Sequence, residues 1–211
     1  MQENKKFIFM VDWSLTALVF SNVFAIYSAT TQGWNLVAIM LAYWFQSVTI
    51  GIFNFVRILS LKEFSTENFK INGRPAQPTI GTKIFTAFFF LFHYGVFHLA
   101  YLGFILKGGV AGMMGGLDSS QLKYVFGIAL IFFGNHLFSY VYNKPRDTKK
   151  QNIGVLMFYP YARIIPMHLT IVFGFGVTEA LPMFMWLKTG ADVIMHFVEH
   201  KIRKGEEPAI H

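Results

Sequence analysis

Long apolar stretches follow one another along this chain, and the segments between them alternate between basic and almost uncharged. A helix of about 20 apolar residues crosses the hydrocarbon of a bilayer. Six such spans can be drawn: Phe7–Thr30, Leu36–Leu61, Ile84–Leu106, Leu122–Tyr142, Leu156–Leu181 and Met183–Arg203. Hydrophobic residues make up 54% of the chain and charged residues 14%, well short of the roughly 25% usual in soluble domains.

The connections orient the spans. Lys62–Lys83 carries Lys62, Lys70, Arg74 and Lys83, and Asn143–Gly154 carries Lys144, Arg146, Lys149 and Lys150. Lys5 and Lys6 precede the first span, and Lys201, Arg203 and Lys204 close the last. Thr31–Asn35 and Leu181–Pro182 have no basic residue, and the glycine-rich Lys107–Gln121 has only Lys107. Basic residues stay on the cytoplasmic side. The expected fold is therefore all-α: a six-helix transmembrane bundle with N- and C-termini cytoplasmic, one integral membrane domain over residues 1–211. An odd number of spans would break the alternation. No small-residue cleavage pattern follows the first span, so it reads as a span and not as a signal peptide. The sixth, with Lys188, Asp192 and His196, is the least apolar, and an interfacial amphipathic helix is its alternative.

Several function classes drop out. The chain has no cysteine, which removes disulfides, thiolate metal sites, iron–sulfur clusters and cysteine nucleophiles. The net charge of +7 sits beside apolar spans and points to anionic lipid headgroups, not nucleic acid. Lys107–Gln121 follows no strand and holds no GK[ST], so it reads as a flexible exterior loop, not a phosphate loop. No internal repeat is visible, which removes support for an inverted-repeat transporter. His196–His200 matches H-x-x-E-H, but a zinc protease of that type needs a further ligand later in the chain, where only a short tail remains.

What remains is a set of ionisable groups inside the spans. His93, His98, His136, His168, Asp192 and His196 come from four different spans, with His200 at an edge. Such groups are costly in hydrocarbon and need a partner, a cavity or a task. Counting about 1.5 Å per residue from each cytoplasmic helix end puts His93, His136, His168, Asp192 and His196 at about 10–17 Å depth, with His98 and Gln46 higher, at about 21–23 Å. Asp192, His196 and His200, at i, i+4, i+8, share one face. His93 and His98 lie about 140° apart around their helix, so His98 pairs by face with Tyr94 and Tyr101. Pro166 removes a backbone donor and frees the carbonyl of Ala162.

Imidazole and carboxylate together suit Zn, Fe or Cu. The expected metal set is His93, His98, His136, His168, Asp192 and His196, supported by Asn54, Arg163 and Gln46, in a mono- or dinuclear site. That chemistry suits a metal-dependent oxidoreductase or hydrolase acting on a lipid-soluble small molecule, with no catalytic residue identifiable. A metal-ion or proton transporter or sensor is the alternative. A b-haem electron carrier is another, with His93–His168 or His136–His196 as axial pairs. The bland reading is a set of separate interhelical hydrogen bonds, each worth about 1 kcal/mol or less.

Five stretches resemble a known family: YWFQSVTIGIFNFVRIL (Tyr43–Leu59), FHYGVFH (Phe92–His98), Asn135-His136, PYARIIPMHLTIVFG (Pro160–Gly174) and LKTGADVIMH (Leu187–His196). They are similar to an uncharacterised family of prokaryotic multi-pass integral membrane proteins. The resemblance implies a prokaryotic cytoplasmic membrane and motifs centred on these His, Arg and Asp positions. It also implies an acidic residue at the place of Gln46, and it supplies no activity.

Overall fold

The computed structural model describes residues 19–20, 23–24, 27, 31, 36–106, 118–143, 151–165, 168–169, 186–187 and 189–194. Among these, three helices are long and apolar enough to cross a membrane: α1 (Leu36–Ser60), α2 (Ile80–Leu106) and α3 (Ser119–Asn143). A short helix, α4 (Ile153–Phe158), and a 3₁₀ turn (Tyr159–Arg163) follow. Most of the expected first and sixth spans lies outside the described residues.

The helices begin where caps place them, not where apolar residues begin. α2 starts four residues before the expected Ile84. Thr79 Oγ1 accepts from Thr82 N–H, and the Thr79 carbonyl accepts from Lys83 N–H. α3 starts three residues before Leu122, because Asp118 Oδ1 accepts from Ser120 Oγ and Gln121 N–H. These bonds hold the Asp118 carboxyl below its ordinary range. α4 starts at Ile153 because Asn152 Oδ1 takes the N–H groups of Gly154 and Val155. Each cap satisfies donors that the first helical turn leaves open.

Contacts fix the relative directions. Trp44 meets His98, Ser47 meets Tyr94, Phe55 meets Phe88 and the Leu61 carbonyl meets Lys83 Nζ, so α1 and α2 run antiparallel. Phe45 meets Phe126, Phe53 meets Phe133 and Ser60 meets Tyr140, so α1 and α3 run parallel. His93 meets Tyr161 and Tyr101 meets His168, so α2 and the segment 161–168 run parallel. These directions bring the α1–α2 loop and the start of α4 to one end, the end the basic connections mark.

That end is built, not loose. The stretch 62–79, read from sequence as a plain loop, contains two pairings. Phe64–Ser65 (β1) pairs in parallel with Gln151–Asn152 (β4), and Lys70–Ile71 (β2) pairs antiparallel with Arg74–Pro75 (β3). Asn72 and Gly73 close that hairpin with φ of 51° and 76°. Two consecutive positive φ values are what a two-residue hairpin turn requires, and Asn-Gly is its usual pair. Asn152 Nδ2 donates to the Glu67 carbonyl. Phe69 packs so tightly on Gly154 that a Cβ there would sit 2.8 Å from its ring.

The expected continuous fifth span, from Leu156, is instead interrupted. Pro160 falls in the first turn of the 3₁₀ segment. Having no N–H, it leaves the carbonyl of Leu156, four residues earlier, without its helical donor. Asn54 Nδ2, buried on α1, donates to that carbonyl at 2.9 Å. Pro166, expected to open the backbone at Ala162, lies outside the described residues. The role of Asn54 is thus to repair a helix break. Asn54→Leu should cost about 1–2 kcal/mol of stability. Asn54→Leu made in a Pro160→Ala background should cost clearly less, read as a double-mutant cycle by thermal denaturation in detergent. Equal costs in the two backgrounds would refute the repair.

Candidate functional site

α2 carries chemistry on two neighbouring ladders, each built on a spacing of four. One is Phe85, Phe89, His93, Phe97 and Tyr101, with successive ring centroids 5.9, 5.4, 5.1 and 6.4 Å apart. The other is Phe90, Tyr94 and His98, with centroids 4.9 and 4.2 Å apart. Residues four apart stack on one helix face. Phe85, Phe89, His93 and Phe97 are exposed, whereas Phe90, Tyr94 and His98 are buried against α1.

The buried ladder ends in a closed polar ring. His98 Nδ1 lies 2.8 Å from the Tyr94 carbonyl, and His98 Nε2 lies 2.9 Å from Ser47 Oγ. Ser47 Oγ lies 2.8 Å from Tyr94 Oη, whose hydroxyl also donates to the Ser47 carbonyl at 3.1 Å. Trp44 Nε1 donates to the His98 carbonyl from above. A carbonyl only accepts, so Nδ1 carries a proton. With neutral imidazole, Ser47 donates to Nε2. With imidazolium, Nε2 donates to Ser47, Ser47 to Tyr94 Oη, and Tyr94 to the Ser47 carbonyl. Every group is satisfied in both states.

The exposed ladder meets the segment after α4. His93 Nδ1 lies 2.7 Å from Tyr161 Oη. Two turns along, Tyr101 Oη lies 3.2 Å from His168 Nδ1. The two pairs are eight residues apart on α2, which is about 12 Å. The similar depths expected for His93 and His168 are therefore replaced by two levels, because His93 lies level with Tyr161, which is seven residues, about 10 Å of helix, before His168. His98 belongs to neither pair. As its angle around α2 requires, it faces Tyr94 and α1, and both of its ring nitrogens are engaged.

The other expected residues divide between elements. His136 is half-buried on α3. Asp192 is 1% exposed, in the helical residues 189–194, and Tyr43 of α1 is buried against Phe132 of α3. Gln46 is buried beside this region, and its Oε1 has no hydrogen bond among the described residues. His196, His200, Lys188 and the side chain of Arg163 lie outside the described residues. Among the described residues, no group of three or more His, Asp or Glu side chains could hold one metal ion. The polar residues the expected set omitted are Ser47 and the tyrosines Tyr94, Tyr101 and Tyr161. The spacing of four along α2 was the available signal for the first two tyrosines, and none existed for Ser47 or Tyr161.

Gly51 makes the buried ring possible. A Cβ at this position would stand 2.5 Å from Tyr94 Cε1. Gly51→Ala should push Tyr94 off Ser47 and cost about 1–3 kcal/mol. It should also shift the His98 ring resonances in ¹⁵N NMR, and unchanged resonances would disprove the coupling.

Comparison with known proteins gives one match. Residues 4–209 match the model of a family described as a family of unknown function, DUF6498. No curated protein and no solved structure matches the chain.

Proposed function

The chain belongs to DUF6498, a family of unknown function, and from its geometry we propose that it handles protons within the membrane, as a proton transporter or sensor. Its full architecture in this reading is six transmembrane helices with both ends on the cytoplasmic side. The observation that carries the reading is the ring of His98, Ser47 and Tyr94. A buried imidazole whose hydrogen-bond partners are complete in both protonation states can take and release a proton without leaving a polar group unpaired. A purely structural crosslink needs only one of those states.

The purified protein in liposomes carrying a trapped pH dye tests this. An imposed gradient should collapse faster than in empty liposomes. His98→Gln, which preserves hydrogen bonding but cannot carry the proton, should slow the protein-dependent rate by about tenfold or more. A rate unchanged by His98→Gln, Ser47→Ala and Tyr94→Phe sinks the proposal.

One observation favours a second reading, a Zn, Fe or Cu site used on a lipid-soluble substrate. Tyr101 engages His168 at Nδ1, and Nε2 has no hydrogen bond among the described residues, as in an imidazole oriented for a metal, while Asp192 supplies a buried carboxylate on another helix. Elemental analysis of the purified protein should then find metal, diminished by His168→Ala. A haem carrier would show a Soret band.

The topology has its own test, because the chain has no cysteine of its own. Single cysteines at Lys70 and at Ser120 should label from opposite sides of the membrane, Lys70 from the cytoplasm.

A further inference from the structure

His93 sits at the centre of α2, thirteen residues from Ile80 and from Leu106, so about 20 Å from either end. It is exposed, on the outer face of the helix, at a depth that neither water nor a lipid headgroup reaches. Its ring is held. Phe89 lies nearly parallel to it, with centroids 5.4 Å apart and planes 13° apart, and Phe97 stands across it at 5.1 Å and 72°. Tyr161 Oη closes on Nδ1 at 2.7 Å. A phenol hydroxyl is the stronger donor of that pair, so Tyr161 gives its proton to Nδ1 and the imidazole proton stands on Nε2. Nε2 has no hydrogen bond among the described residues. The result is a fixed N–H donor, flanked by aromatic rings, facing the middle of the bilayer. An unpaired donor is costly in hydrocarbon, where no water can satisfy it.

We propose that Phe89, His93, Phe97 and Tyr161 form a binding site for a membrane-dissolved quinone-class molecule, whose ring carbonyl accepts from His93 Nε2. A conjugated carbonyl supplies the acceptor, a flat ring suits the aromatic flanks, and an isoprenoid-like tail keeps such a molecule at this depth. A second copy of the chain fits the face less well. Close helix pairing in membranes uses small residues, and the exposed side of α2 around His93 projects Phe85, Phe89 and Val96. The site is separate from the His98 ring, so it stands or falls without the proton reading.

The test is a titration of the purified protein in phosphatidylcholine nanodiscs with a decyl-tailed benzoquinone, read by quenching of tyrosine and tryptophan fluorescence. Binding should be saturable. His93→Leu should weaken it about tenfold, the loss expected for one hydrogen bond in a dry site. Tyr161→Phe, which frees the ring to turn, should weaken it by a smaller factor, and Phe88→Leu, off the ladder, should not change it. Thermal melting identifies a variant that has not folded, and Tyr161→Phe then carries the test alone. Non-saturable quenching overturns the site, as does unchanged affinity in both His93→Leu and Tyr161→Phe. Val96→Cys disulfide dimers that form equally with and without the quinone assign the face to a second copy and also overturn it.

Discussion

Hydrocarbon offers no hydrogen bonds, so each polar group inside the membrane has to be satisfied by the protein itself. Among the described residues that requirement is met chiefly where α1 and α2 approach. Gly51 lets the Tyr94 ring lie against the α1 backbone, the ring brings its hydroxyl to Ser47, and Ser47 receives His98. The two helices are thereby locked in register and in rotation. The remaining contacts of α2 follow from that rotation. With Tyr94 and His98 turned inward, His93 and Phe97 are turned outward, and Tyr101 is left to reach His168.

The same requirement explains the break after α4. Pro160 opens a carbonyl in the interior, and α1 closes it with Asn54. One helix therefore serves two purposes, sealing the His98 ring towards one end and the proline break towards the other. The strand pair of Phe64–Ser65 with Gln151–Asn152 fixes the approach of the broken segment from outside the membrane. Tyr161 and His168 reach α2 at separate levels because they lie seven residues apart on a segment that runs alongside it.

The histidines consequently do different things. His98 is enclosed in a ring that tolerates either protonation state. His93 is exposed and held by Tyr161 at Nδ1. His168 is held by Tyr101, and Asp192 is buried in the separate helical stretch 189–194. Depth along the membrane normal, estimated from helical rise, placed His93, His168 and Asp192 in one slab with His98 above it. Depth says nothing of rotation, and rotation separates His98 from His93.

The sequence by itself determined that the chain is mostly helical, that it holds helices long and apolar enough to cross a membrane, where three of them lie, and which connections carry the basic residues. Those properties depend on local composition and on distance along the chain. It also determined that His93 and His98 face different ways, since five residues of helix impose that angle. Caps at Thr79, Asp118 and Asn152 and the Asn72-Gly73 turn are local signals too, but spans drawn from apolar residues alone start after the first two and pass over the others. Only the tertiary structure decided which tyrosine meets which histidine, that Ser47 completes the buried ring, and that Asn54 answers Pro160. Such pairings depend on the rotation of each helix and on how closely two backbones approach, which packing around Gly51 and the proline break sets and no local pattern encodes.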